Sequence, residues 1–389
     1  MEQEGGEQGG FGNLGIFQQQ MSARGTMTEP GRPQSPQQNT RAGEFQQAWQ
    51  GEFQQPQYWQ EPPMNQMGER NAVESARRSY SRIGASFSVM IVVWMALVFV
   101  LGIGISMLHR EAAHWMWVSL LVSDCSLYLV AVPLAYLMLK SVPEEPTRKF
   151  GMTFGELFEW FLVSLAIVFV GGLLGSALAA LFSGGMAQNR LDNIVGGIPA
   201  WLNILAVVVV GPIVEEWLCR KQIIARVRRY GERLAIVVSA LIFALFHLNL
   251  YQFFYAFGLG LVLGYIYMRT SQLKYTIGLH MAINFLGSVA GPFFSDWSDA
   301  HSAALESGEA TGSALIMGVA AMLYILLYLV AVVAGAVLLI MKCRRLEFYV
   351  TPAQLPKGTA CSCAFVNAGM GVFITLTVFG MVLALMNVM

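Results

Sequence analysis

The sequence is poor in charge. Only 12% of its 389 residues are Asp, Glu, Lys or Arg, against about 25% in an ordinary soluble domain, while 55% are hydrophobic. A soluble globular protein is excluded. Neither sign of charge is in excess, because 24 Lys plus Arg offset 24 Asp plus Glu, so no overall field favours nucleic acid or an acidic partner. Cysteine is scarce as well. Cys125, Cys219, Cys343, Cys361 and Cys363 have neither zinc-ligand spacing nor the pairing of a disulfide framework, and reduced thiols are expected. The start of the chain lacks the succession of charged region, short apolar stretch and small-residue cleavage site, so a removable signal peptide is not expected.

Residues 1–79 hold sixteen glutamines, six of the fourteen prolines and no apolar periodicity. Such a segment buries too little surface to offset its ordering entropy, and a disordered cytoplasmic tail is expected. From residue 80 the chain breaks into apolar runs of about 20 residues, the length that crosses a bilayer. Nine such runs fall near 83–108, 115–139, 154–182, 198–218, 234–250, 252–268, 275–293, 313–341 and 364–388. They are continuous rather than alternating, and backbone groups in lipid must bond internally, so the runs are helices and not barrel strands. The fold class is all-α, a polytopic transmembrane helix bundle of about nine helices that occupies residues 80–389.

Basic residues set the expected orientation, since short cytoplasmic loops are rich in Lys and Arg. Arg77, Arg78 and Arg82, then Lys140, Arg148 and Lys149, then the run from Arg220 to Arg233, then Arg269 and Lys274, and finally Lys342, Arg344 and Arg345 occupy every second loop. The alternate loops hold only Arg110 and Arg190 and, before the eighth run, the acids Asp296, Asp299, Glu306 and Glu309. The N-terminus is expected inside the cell membrane and the C-terminus outside.

Ionisable residues within membrane helices cost free energy and mark candidate sites. Asp124 stands between Ser123 and Ser126, where hydrogen bonding within the bundle is a sufficient role. Glu215 and Glu216 are adjacent, about 100° apart around a helix, so they cannot serve one point equally. Glu216 and Arg220 are four apart with the acid first, the favourable order for an ion pair, which leaves Glu215 free for chemistry. Phe243 and His247 share a helix face, as do His280 and Asn284, whose imidazole and carboxamide can both donate to one oxygen. Glu215 and His247 are equidistant from Gly231, so a hairpin turning there brings them to similar depth.

The ordered motifs Glu-Glu-x-x-x-Arg at 215–220, Phe-x-x-x-His at 243–247 and His-x-x-x-Asn at 280–284 resemble the CPBP family, the CAAX proteases and bacteriocin-processing enzymes also called Abi proteins. The resemblance covers a core of about 198–290. It implies an intramembrane endopeptidase acting on a membrane-associated protein or peptide, lipidated or carrying a leader, with a site open to the cytoplasm. Glu215 would activate a water, His247 orient it, and His280 and Asn284 stabilise the oxyanion, with Glu216, Arg220 and Phe243 in support. The family is often named as metalloproteases. One Zn²⁺ on Glu215, His247 and His280 and a metal-free glutamate mechanism both stay open, and the compact His-Glu-x-x-His helix that marks zinc is absent. Two other classes use the same residues differently: a non-proteolytic immunity or scaffold protein of the same fold, and a transporter, for which the sequence lacks the expected related halves.

Overall fold

A computed structural model describes residues 66–111, 114–185, 189, 196–308 and 311–386. Residues 1–65 of the glutamine-rich segment, and Arg190, lie outside the described residues. Each of the nine apolar runs is mainly helical over its described residues, and no strand occurs among the described residues. The helices are α1 (Gln66–Leu108), α2 (Met116–Leu139), α3 (Phe154–Ser183), α4 (Ala200–Tyr230), α5 (Glu232–Phe246), α6 (Leu250–Thr270), α7 (Leu273–Ala304), α8 (Gly312–Cys343), the short α9 (Ala360–Phe365) and α10 (Ala368–Leu385). All five cysteines are free thiols.

Eight of these helices are long and apolar enough to cross a membrane. Of the nine apolar runs, the fifth is the exception and brings the count to eight. Helix α5 has 15 residues, about 22 Å at 1.5 Å per residue, short of the roughly 30 Å hydrocarbon core. Its sequence is apolar on every side because eleven of its residues are buried against protein. By contrast α8 turns Leu323, Leu327, Val330 and Val333 outward, the pattern of a lipid-facing span.

The start of α1 is the second correction. The helix begins at Gln66, so residues 66–79 are ordered rather than part of the tail. Ala72, Ala76, Tyr80 and Ile83 form a buried stripe at helical spacing, and the Ser75 and Ser79 hydroxyls bond the Tyr230 hydroxyl. The many charges on the other face of this extension mask the stripe in the sequence.

The basic segments gather at one end of the bundle. Arg82 donates to the Ser141 carbonyl, Lys221 and Arg226 pair with Glu144, Arg229 with Glu145, and Arg269 with Glu232. Arg228 bonds Ser271 and the Met268 carbonyl. The stretch after α8 is tied to the same end, where the backbone N–H of Ala353 and Leu355 donate to Arg229 and Tyr230 carbonyls and that of Tyr349 to Glu232. Gly231 makes the corner between α4 and α5 with φ +138°, a conformation that only glycine adopts cheaply. Helix α6 packs between α5 and α3. The α3 contact is close because the small residues Gly171 and Gly175 meet the backbone of Tyr255 and Tyr251.

Candidate active site

The middle of helix α4 is regular over Gly211–Glu216. Wide π turns flank that stretch, at Ile204–Val210 and Trp217–Ile224. Pro212 has no N–H to continue an α-helical ladder, so an irregular turn before it is expected, and such π stretches are frequent at functional sites. Helix α7 repeats the device at Leu286–Ala290, directly before Pro292.

Glu216 and Arg220 are fully buried and bidentate: Arg220 Nε donates to Glu216 Oε2 at 2.9 Å and Nη2 to Oε1 at 3.1 Å. Arg220 Nη1 donates to Ser239 Oγ on α5 at 3.0 Å, and that hydroxyl donates to the Cys219 carbonyl at 2.8 Å. The guanidinium also lies 4.9 Å from the centre of the Phe243 ring, within cation–π range. The pair is therefore saturated. Its Glu216 Oε1 has one further partner, His280 Nδ1 at 3.1 Å. An ionised carboxylate only accepts, so Nδ1 carries the proton and Nε2 faces the other way.

That second nitrogen stands 3.7 Å from Glu215 Oε2. Glu215 is 17% exposed, His280 4%, and among the described residues no arginine or lysine pairs with Glu215. Phe243 sits at the centre of the group, edge-on to His280 at 5.6 Å and to His247 at 4.9 Å between ring centres. His247 Nδ1 bonds the Phe243 carbonyl at 2.7 Å. A carbonyl accepts, so His247 Nε2 is left as an acceptor toward the site. Asn284 Nδ2 donates to the Val207 carbonyl at 2.9 Å, leaving one N–H and the Oδ1 of the carboxamide for other use.

The motif residues are thus gathered along one antiparallel seam between α4 and α7, with α5 behind it. The equidistance of Glu215 and His247 from Gly231 does not produce a direct contact. Ser239 lies against Cys219, and this register sets Glu215 level with Phe243, one turn short of His247. The wide turns of α4 change the residues per turn, which spacing alone does not reveal. The sequence reading also missed Ser239, and it missed the two braces at the far end of the seam. Asn203 Nδ2 donates to the Ser288 carbonyl at 2.6 Å and Ser288 Oγ to the Asn284 carbonyl at 2.8 Å. A polar residue recurring in α4 and α7 on the motif faces was the available signal.

Among the described residues no group of three or more His, Cys, Asp or Glu stands together as a set that could hold a metal ion. Glu215 and His280 approach each other, whereas His247 reaches them only through the Phe243 ring. The zinc set Glu215, His247 and His280 is not assembled in this arrangement.

Residues 197–286 match the family model described as type II CAAX prenyl endopeptidase Rce1-like. This segment is thus similar to an Rce1-like domain. It contains every residue of the seam from Asn203 to Asn284. The putative membrane peptidase YdiL of Bacillus subtilis (strain 168) is 27% identical over 161 residues, 40% of this chain and 66% of that protein. The membrane-embedded CAAX protease MroQ of Staphylococcus aureus (strain USA300) is 31% identical over 140 residues, 33% of this chain and 56% of that protein. The chain thus covers just under two thirds of the first relative and little more than half of the second. No solved structure matches it.

Proposed function

We propose that this protein is an intramembrane endopeptidase that hydrolyses a peptide bond of a membrane-associated protein or peptide, with Glu215 as the base. The observation that carries the reading is the contrast between two adjacent carboxylates. Glu216 is consumed by Arg220 and His280, while Glu215 is partly exposed, pairs with no arginine or lysine among the described residues and faces an imidazole nitrogen.

The steps use these side chains in turn. Glu215 accepts a proton from a water whose other hydrogen is held by His247 Nε2, and the resulting hydroxide attacks the peptide carbonyl carbon. The tetrahedral oxyanion is met by the remaining Asn284 N–H and by Nε2–H of His280, which that ring presents only as an imidazolium. Glu216 holds that ring in place by accepting from Nδ1. Donors fixed before the reaction are worth about 3–4 kcal/mol each at such an oxyanion. Collapse of the intermediate breaks the C–N bond, and Glu215 passes its proton to the leaving amine.

The relatives' printed names support a peptidase acting at a membrane. By the excess of Lys and Arg at the Gly231 end, that end is cytoplasmic, with α1 entering and α10 leaving the bilayer from it. His280 lies seven residues into α7, about 10 Å from this end, a depth that a cytoplasmic substrate reaches. A lipidated protein or a leader-bearing peptide is the substrate class this reading favours. The test is cleavage of a library of membrane-adjacent peptides, lipidated and plain, by the purified protein in detergent. Activity lost in Glu215→Ala and in His247→Ala supports the reading. Biological activity intact in both variants would move the protein to the immunity or scaffold class.

A further inference from the structure

Helix α2 brings to the seam two polar side chains that the steps above leave unused. Asp124 and Tyr128 are four apart, which turns them to one helix face, and both interact electrostatically with Glu215. Gly211, one turn before Glu215 on α4, gauges the approach. A methyl group on its Cα would stand 3.6 Å from the Tyr128 hydroxyl oxygen, 3.9 Å from Glu215 Oε1 and 3.1 Å from the Ala206 carbonyl oxygen. The missing side chain leaves a notch bordered by three oxygens. A buried water takes two to four polar partners, and this notch supplies them. The Tyr128 hydroxyl makes no hydrogen bond to a described residue, so its O–H is uncommitted.

Resting on the hydrolytic reading of Glu215, we propose that the attacking water lodges in the Gly211 notch and that Tyr128 is a further catalytic residue, its O–H donating to that water's oxygen. The geometry gives the three oxygens different work. Glu215 Oε1 takes one water hydrogen and His247 Nε2 the other, while the Ala206 carbonyl, which already accepts from the Gly211 N–H, borders the notch. As Glu215 removes the proton, the water oxygen gains negative charge, and a donor aimed at it lowers the barrier in the manner of an oxyanion donor. The O–H stays intact throughout, so no proton is lost from the phenol. The same oxygen then becomes part of the new carboxyl group.

The test uses the full chain in detergent and a peptide that the wild type cleaves. Tyr128→Phe keeps the ring and removes the donor. Its kcat is expected to fall roughly 10- to 100-fold, the scale of one lost donor, with KM changed by less than about twofold and the melting temperature retained. Replacement of Tyr128 by 3-fluorotyrosine, which restores a donor, is expected to recover most of kcat; this variant also decides the matter if Tyr128→Phe does not fold. An unchanged kcat in Tyr128→Phe, or a rise in KM alone, overturns the proposal. Glu215→Gln in the same assay separates the two claims. If it is inactive while Tyr128→Phe is fully active, only the role of Tyr128 fails; if Glu215→Gln cleaves normally, the hydrolytic reading itself fails.

Discussion

Two clusters of ion pairs sit on one helix and behave as different materials. At the seam, Arg220 and Glu216 are 0% exposed and bound on every side. One residue further, Lys221 is 43% exposed and holds Glu144 at the basic end, together with Arg226. The first cluster was taken out of water completely, so each charge is tolerated only while all of its partners are present. In the second, Arg226 is buried but Lys221 and Glu144 stay open to water, so the Lys221 pair is screened and contributes little. The difference teaches where chemistry can reside. A saturated pair cannot act, but it fixes His280 by one nitrogen and turns the other toward Glu215, the carboxylate beside it that neither cluster neutralises.

The comparison can be broken most severely at Arg220. Arg220→Met leaves Glu216 buried and unpaired, and a loss of about 3–5 kcal/mol is expected, read as a large fall in melting temperature or as failure to purify. The double variant Glu216→Gln with Arg220→Met removes both charges and should recover part of that loss. Equal damage in single and double variants would mean that the pair is not the brace described here.

Asn284→Ala is the next largest effect. It deletes the donor proposed for the oxyanion and a bond to the Val207 carbonyl. A 10²–10³-fold fall in kcat is expected, with a stability change of about 1 kcal/mol. A fall in stability without a fall in kcat would make Asn284 a clasp between α4 and α7 and nothing more.

The basic end should respond least. Lys221→Ala is expected to cost about 0.2–1 kcal/mol, and less at high salt. The same pairs carry a weak pH dependence. Burial pushes the Glu144 carboxyl up, but the hydrogen bond from Lys221 and the charges of Arg226 and Lys221 outweigh it and hold the pKa below the usual value. A depressed carboxylate stabilises the fold fully above its unfolded value, about 4.3. That stabilisation fades as pH falls through the lower folded value. Thermal melts of wild type and Glu144→Gln should therefore converge below about pH 4; a difference that grows on acidification would contradict the assignment.

Much of this contrast was legible in the residues. The i, i+4 order of Glu216 and Arg220 specified their pairing, and apolar run lengths specified helices at all nine positions. What stayed hidden depends on long-range geometry. Helix α5 reads as a span because burial in protein and burial in lipid select the same side chains, so Glu232–Phe246 gives no sign that it stops short. The register between Glu215 and Phe243 depends on wide turns in α4 that no local pattern announces. The approach of Tyr128 to Gly211 joins residues 83 positions apart, and Asp124 alone on α2 suggested only a hydrogen bond within the bundle.

The central claim is a division of labour between adjacent carboxylates, and it is tested most directly by measuring cleavage rate and melting temperature together in Glu215→Gln and Glu216→Gln, reconstituted side by side. The expected result is a Glu215→Gln protein that melts like wild type and does not cleave, and a Glu216→Gln protein that melts markedly lower. Wild-type cleavage by Glu215→Gln, or an undiminished melting temperature in Glu216→Gln, would contradict it.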